Sequence, residues 1–254
     1  MSRKRMALFL TLFTFFLLIL PKGIPAYALD LSNFGINFNG SGNEPQALVD
    51  TMKVFIMLTV LTLVPAFLIL TTCFTRVVVV LSFLRNAIGS QQTPPNQVLM
   101  GLALFITLFI MQPVYGQVMD QAVTPYLNET ITQAEAFDIG SAPIKRFMLA
   151  QTREKDLALF MRAAEVDDVQ DPLELSFTVI VPAFTISELR MAFSIGFILF
   201  LPFLVMDIVV SSILMSMGMF MLPPVMISLP FKLLLFILAD GWYLVVESLL
   251  RGFK

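Results

Sequence analysis

Histidine is absent from the 254 residues. With it goes the side chain that most often serves as a neutral-pH acid or base and as a metal ligand. A single cysteine, Cys73, is present, so an intrachain disulfide and a cysteine-rich metal site are both excluded. Lying inside an apolar run, Cys73 reads as a small buried hydrophobe. Charge is also scarce. Asp, Glu, Lys and Arg make up 13% of the chain, against roughly 25% in an average soluble domain. No phosphate-cradling glycine loop, metalloprotease helix or serine-nucleophile motif occurs. These absences argue against an enzyme, and neither a cofactor nor a metal is expected.

What is abundant is apolar: 57% of the residues, with a mean hydropathy of +0.86. That composition describes an all-α integral membrane protein. Arg3, Lys4 and Arg5 precede an uncharged run over 6–20, and Ala26-Tyr27-Ala28 follows. A basic start, a short apolar middle and an A-x-A site describe a cleavable signal peptide over 1–28. Removing it leaves twelve basic and eighteen acidic residues, a net charge of −6, which does not favour nucleic acid.

Residues 29–52 begin with a stretch rich in Gly, Asn and Ser and read as a flexible periplasmic lead. Residues 53–116 read as a first hydrophobic hairpin, kinked at Pro65 and turned by a polar stretch containing Gln91, Gln92, Pro94 and Pro95. Arg76 and Arg85 bracket the apolar run just before that turn and read as flanks of an inner loop. Residues 117–175 carry eleven acidic and five basic residues. They read as a soluble, mainly helical periplasmic region. Ser141 with Pro143 suggests a helix start there. Residues 176–254 form a second hydrophobic hairpin. In total, four hydrophobic helical segments follow the signal.

In the second hairpin, Met215, Met217, Met219 and Met221 occupy alternate positions. Gly218 loosens this run, and Pro223-Pro224 ends it. Methionine is soft and fills irregular gaps. Two readings stand: a helix end with methionine as filler, or an apolar seal around something that changes shape.

Glu188, Arg190, Asp207, Lys232 and Asp240 lie in or beside apolar runs, where each would cost about 2.5–3.5 kcal/mol at a bilayer centre. Glu188 and Arg190 are about 200° apart around a helix, so each needs a partner elsewhere. Lys232, Asp240 and Glu247 would share a polar stripe along one helix. These charges fit three readings: an ion relay in a secondary transporter, bridges between subunits, or pairing between helices of one chain.

Residues 83–87 read Phe-Leu-Arg-Asn-Ala and 91–97 read Gln-Gln-Thr-Pro-Pro-Asn-Gln. Residues 217–224 read Met-Gly-Met-Phe-Met-Leu-Pro-Pro, 227–233 Ile-Ser-Leu-Pro-Phe-Lys-Leu, and 240–242 Asp-Gly-Trp. In these stretches, and from about residue 50 to its end, the chain resembles the FliP/SctR family of type III secretion export-gate proteins. The signal peptide and the wording at 91–97 look flagellar. The resemblance implies a pore subunit and not an enzyme. It implies about five copies around one axis, assembled with FliQ and FliR into a closed helical gate in the basal body at the bacterial inner membrane. FlhA and FlhB would lie nearby, and unfolded flagellar proteins would pass through. It also implies hairpins held above the usual membrane plane and a pore constriction at Met219, Phe220 and Met221. Phe220 stands where the family pattern has a methionine. An ion-coupled transporter is the alternative reading.

Overall fold

The computed structural model describes residues 44–90, 93–166, 171–219 and 222–253. The expected signal peptide and most of the lead, residues 1–43, lie outside the described residues, as do Gln91, Gln92, Phe220 and Met221. Every regular element among the described residues is helical, so the chain is all-α, as its composition and proline-punctuated apolar runs require. The chain divides into two compact units at Thr62 and Leu63.

Helix α1 spans Glu44–Leu70, so residues 44–52 of the expected lead are helical. In the first unit, the Thr59 and Thr62 hydroxyls donate to the carbonyls of Phe55 and Thr59 at 2.8 Å each. Both threonines thus satisfy their polar groups on an apolar helix. The rest of α1 belongs to the second unit. There the Thr71 and Thr72 hydroxyls donate to the Phe67 and Leu68 carbonyls, which satisfies the last turn of the helix and lets the chain break before Cys73. The first apolar segment is therefore two helices, and α2 spans Phe74–Ile88. Gly89, with φ at +87°, closes α2 because the left-handed conformation costs glycine no Cβ clash.

Helix α3, Asn96–Val118, continues through a π-helical turn, Met119–Val123, into the short α4, Thr124–Leu127. The region between the hairpins holds α5, Gln133–Gln151, and α6, Glu154–Ala163. Helix α5 starts on a capping box in which Thr132 and Glu135 satisfy each other's backbone donors. Ser141 and Pro143, which suggested a helix start, lie inside α5 instead. The Ser141 hydroxyl there donates to the Asp138 carbonyl.

The second hairpin begins with the forty-residue α7, Phe177–Ser216, capped by Ser176 and containing Pro182 and Pro202. Helix α8 is Pro224–Leu238, and α9 is Gly241–Arg251. A 61° bend separates these two. Among the described residues, three helices are long and apolar enough to cross a membrane, and the α8–α9 pair makes a fourth if it counts as one bent span.

The core of the second unit is the seam between α2 and α7. Val77, Val80, Leu81 and Leu84 are buried with Ala192 and Phe203. Full burial of such side chains is worth about 1.5–3 kcal/mol each. Gly196 marks the closest approach, since a β-carbon there would lie 2.7 Å from the Phe83 ring. A second cluster of Met148, Leu175, Val179, Ile180 and Phe184 docks α5 onto the start of α7. Much of the remaining surface is apolar and open, including Phe105 at 71% and Leu238 at 78% exposure.

Candidate functional site

At the tip of the second hairpin, α7 ends in a Schellman motif. The Met219 amide donates to the Leu214 carbonyl and the Gly218 amide to the Met215 carbonyl, both at 3.0 Å. Gly218 holds φ at +75°, and a β-carbon there would meet nothing within 4 Å, so backbone conformation rather than crowding requires glycine. The motif stops the helix and turns the chain at Met219, which is half-buried. Met215 and Met217 are exposed at 58% and 64%. On the far side, Pro223 precedes α8 and Pro224 opens it, a position where proline's missing N–H costs nothing. Beneath the turn, Met206, Val210, Leu214, Ile227 and Phe231 help line an apolar cavity of about 310 Å³ between α7 and α8.

Below this cavity the hairpin is tied by charge. The Lys232 ammonium donates to Asp207 Oδ2 at 2.6 Å, and the Ser228 hydroxyl donates to Asp207 Oδ1 at 2.6 Å. The same ammonium points at the Ala87 carbonyl, 3.4 Å away, in the last turn of α2. A cation is favourable at a helix C-terminus, where the macrodipole is negative. Lys232 and Ser228 are buried while the Asp207 side chain keeps 25% exposure.

A second knot lies at the opposite end of α2. Arg76 grips the Glu188 carboxylate with both Nε and Nη2, a bidentate pair in which each group is almost wholly buried. Arg76 Nη2 also donates to Gln151 Oε1 at 3.0 Å, and Nη1 donates to the Gly252 carbonyl at 3.3 Å. The Phe253 ring covers the guanidinium at 3.9 Å. One side chain thus joins α2, α5, α7 and the C-terminal residues. The sequence reads Arg76 as the flank of an inner loop; the structure adds that it is buried in the core. The cue was arithmetic. Glu188 in an apolar run needs a cation, and Arg76 sits in another such run.

The remaining sequence candidates scatter. Arg190 is exposed on the face of α7 away from Glu188. Asp240 is exposed too, at the bend between α8 and α9 with φ at +48°. The bend breaks the single polar stripe expected through Lys232, Asp240 and Glu247. Glu247 pairs instead with Arg251, one turn along α9, at 2.6 Å. The bend also explains Gly241, where a β-carbon would fall 2.1 Å from the Phe236 ring. At the tip of the first hairpin, Arg85 donates to the Pro94 carbonyl and to Asn96 Oδ1, fastening the turn that carries Pro94 and Pro95.

In the region between the hairpins, Asp156 accepts from the Ser187 hydroxyl at 2.7 Å and pairs with Arg153. Burial works to raise its pKa, but the bonds from Ser187 and Arg153 outweigh it and hold the carboxyl below its ordinary value. Among the described residues no cluster of carboxylates, cysteines or histidines could hold a metal ion. The arrangement is an apolar turn on a hairpin whose two helices are joined by the Asp207–Lys232 pair.

The sequence profile of the FliP family matches residues 57–249. The flagellar biosynthetic protein FliP of Bacillus subtilis (strain 168) is 54% identical over 213 residues, covering 84% of this chain and 96% of that protein. The protein of the same description from Pectobacterium carotovorum is 50% identical over 211 residues, 83% of this chain and 82% of its own length. That of Aquifex aeolicus is 50% identical over 217 residues, 85% and 89% respectively.

Proposed function

This chain belongs to the FliP family, and from that premise we propose that it is a pore-forming core subunit of the flagellar type III export gate, whose Met/Phe turn seals the closed pore. Membership makes it a component of the flagellar export apparatus and a membrane-associated part of the flagellum. The family is one of structural export-gate proteins and not of enzymes.

The observation that carries the pore reading is the Schellman stop at Met219. It ends a forty-residue apolar helix and presents a soft apolar turn at the tip of a hairpin. Copies placed around one axis would bring Met219, Phe220 and Met221 together as a compliant constriction. Apolar constrictions bar ions by dewetting, while flexible methionine can re-pack around a passing chain. In this reading about five copies assemble with FliQ and FliR at the bacterial inner membrane, in the basal body. FlhA and FlhB lie nearby, and unfolded flagellar proteins are the cargo. The exposed apolar faces of α1, α3 and α8 supply surface for lipid and neighbouring subunits. Arg190 and Asp240, both exposed, are the charges placed to bridge between subunits. Glu188 and Asp207 already have cationic partners inside the chain, which leaves less support for the ion-coupled transporter that the buried charges also suggested.

Purification in mild detergent tests the assembly. The expected result is one complex holding several copies of this chain with two further small membrane proteins. A stable monomer that transports solute on its own would overturn it.

A further inference from the structure

We propose that the apolar cavity beside α5, where three apolar helices end, holds an acyl chain of a membrane phospholipid whose phosphate meets Lys145. The cavity measures about 510 Å³, inside the roughly 300–1,000 Å³ range of small-molecule sites. Phe67, Val118, Tyr126, Phe137, Ile144 and Phe177 help form its walls, and none of its lining residues is charged. Water finds few polar partners there, since the Ser141 hydroxyl is committed to the Asp138 carbonyl. Left empty, the walls would forgo dispersion contacts. Two close contacts hold those walls in place. Gly140 brings α5 so near the π-helical turn that a β-carbon would lie 3.1 Å from that of Ala122. The Phe67 ring meets Phe177 edge-on at 5.8 Å.

The position of the cavity selects the guest. Phe67 lies three residues from the end of the candidate span Thr51–Leu70, Tyr126 one residue from the end of Asn96–Leu127, and Phe177 opens Phe177–Ser216. Apolar spans end where hydrocarbon gives way to lipid headgroups, and tyrosine is enriched at that level. Tyr126 and Phe137 are exposed, so the cavity is open to a chain entering there. Charge completes the match. The Lys145 ammonium lies 5.3 Å from the centre of the Phe177 ring, a wall of the cavity. One of its protons goes to the Leu173 carbonyl at 2.9 Å, and an ammonium has two more to give. Glu135 and Asp138 stand in the first half of α5, Lys145 and Arg146 in the second, so an anionic headgroup is drawn to the second half. Basic groups between apolar helices bind phospholipid headgroups in this way. The site is separate from the methionine turn and stands without the pore reading.

The test uses the full chain with its export complex in vesicles of phosphatidylethanolamine and phosphatidylglycerol. Part of the phosphatidylglycerol carries a photoreactive group in its acyl chain. Mild detergent strips the bulk lipid, and light is then applied to what remains. The unaltered protein is expected to retain phospholipid, with at least five times more label on residues 118–144 and Phe177 than on α8. Retained lipid that labels other segments, or no retained lipid at all, would overturn the proposal.

Variants give a second readout. Ala136→Phe and Ser141→Phe each fill the cavity from α5 and are expected to lower retained lipid at least fivefold. Lys145→Gln is expected to lower it at least threefold by removing the partner of the phosphate. A filling variant that folds and still retains as much lipid as the unaltered protein contradicts the site. A photoreactive side chain in place of the exposed Phe137 separates the possible occupants. Cross-links to phospholipid are expected; cross-links only to a second copy or to another subunit would give the cavity to protein and overturn the proposal.

Discussion

At the scale of single residues, a few charges sit where losing one partner is expensive: Arg76, Asp156, Glu188 and Lys232 are buried. The Arg76 and Glu188 side chains are 3% and 0% exposed. Removing one member of such a pair costs about 3–5 kcal/mol, because the other is left buried and uncompensated. Glu188→Gln is therefore expected to lower the yield of assembled complex sharply, whereas Arg190→Gln, on the exposed face two residues away, leaves folding unchanged. Thermal unfolding of the detergent-purified protein checks both. Asp156 supplies a pH dependence. Its folded carboxyl titrates below the ordinary value of about 3.9 because of Ser187 and Arg153. The stability it contributes is therefore full above that value and is lost as pH falls through the folded pKa. Asp156→Asn is expected to flatten the acid limb of a melting-temperature profile below about pH 4.

The sequence made some of these residues legible and hid others. Glu188, Asp207 and Lys232 stood out as charges in apolar runs. Arg76 did not, because a cation near the end of an apolar run is normally a topology flank, and only the three-dimensional closeness of α2 to α7 and α5 shows its use. Asp240 stood out as well, yet it proved to be an exposed helix breaker. The Asp-Gly pair at 240–241 is a turn signal in its own right, and in the structure it outweighs the hydropathy around it.

At the scale of elements, the stops were easier to read than the starts. Gly218, read as loosening the methionine run, is the left-handed residue that ends α7, and Pro223-Pro224, read as stopping that helix, instead precede and open α8. For α5, two signals competed. The Ser141-Pro143 pair looked like a helix start, while Thr132 and Glu135 carried the capping-box spacing. The latter prevailed because it satisfies two backbone donors at once. The break before Cys73 was invisible because Thr71 and Thr72 look like ordinary members of an apolar run. Their hydroxyls bond back to Phe67 and Leu68 and make the interruption tolerable. The close packing of α2 on α7 also left one sequence trace, a glycine at 196 amid bulky residues. Gly196→Ala is expected to weaken assembly more than Gly101→Ala, since a β-carbon at 101 meets nothing within 4 Å. Comparing the complex yields of the two variants decides it.

At the scale of the whole molecule, the structure is a set of apolar hairpins with unusually little of its own surface to cover them. Helices α1, α3 and α8 expose large apolar side chains along their lengths, and the window that makes Thr51–Leu70 a candidate span has none of its residues buried. Such a chain needs a membrane, copies of itself or other subunits to complete it. Membership of the FliP family accounts for that incompleteness.

The central claim is that the turn at Met219–Met221 seals the closed gate, and ion conductance tests it most directly. In cells carrying assembled gates, the double variant Met219→Ala, Met221→Ala is expected to raise resting ion leak across the inner membrane, with assembly of the complex preserved. A leak no greater than that of the unaltered gate, at equal amounts of complex, would contradict the account.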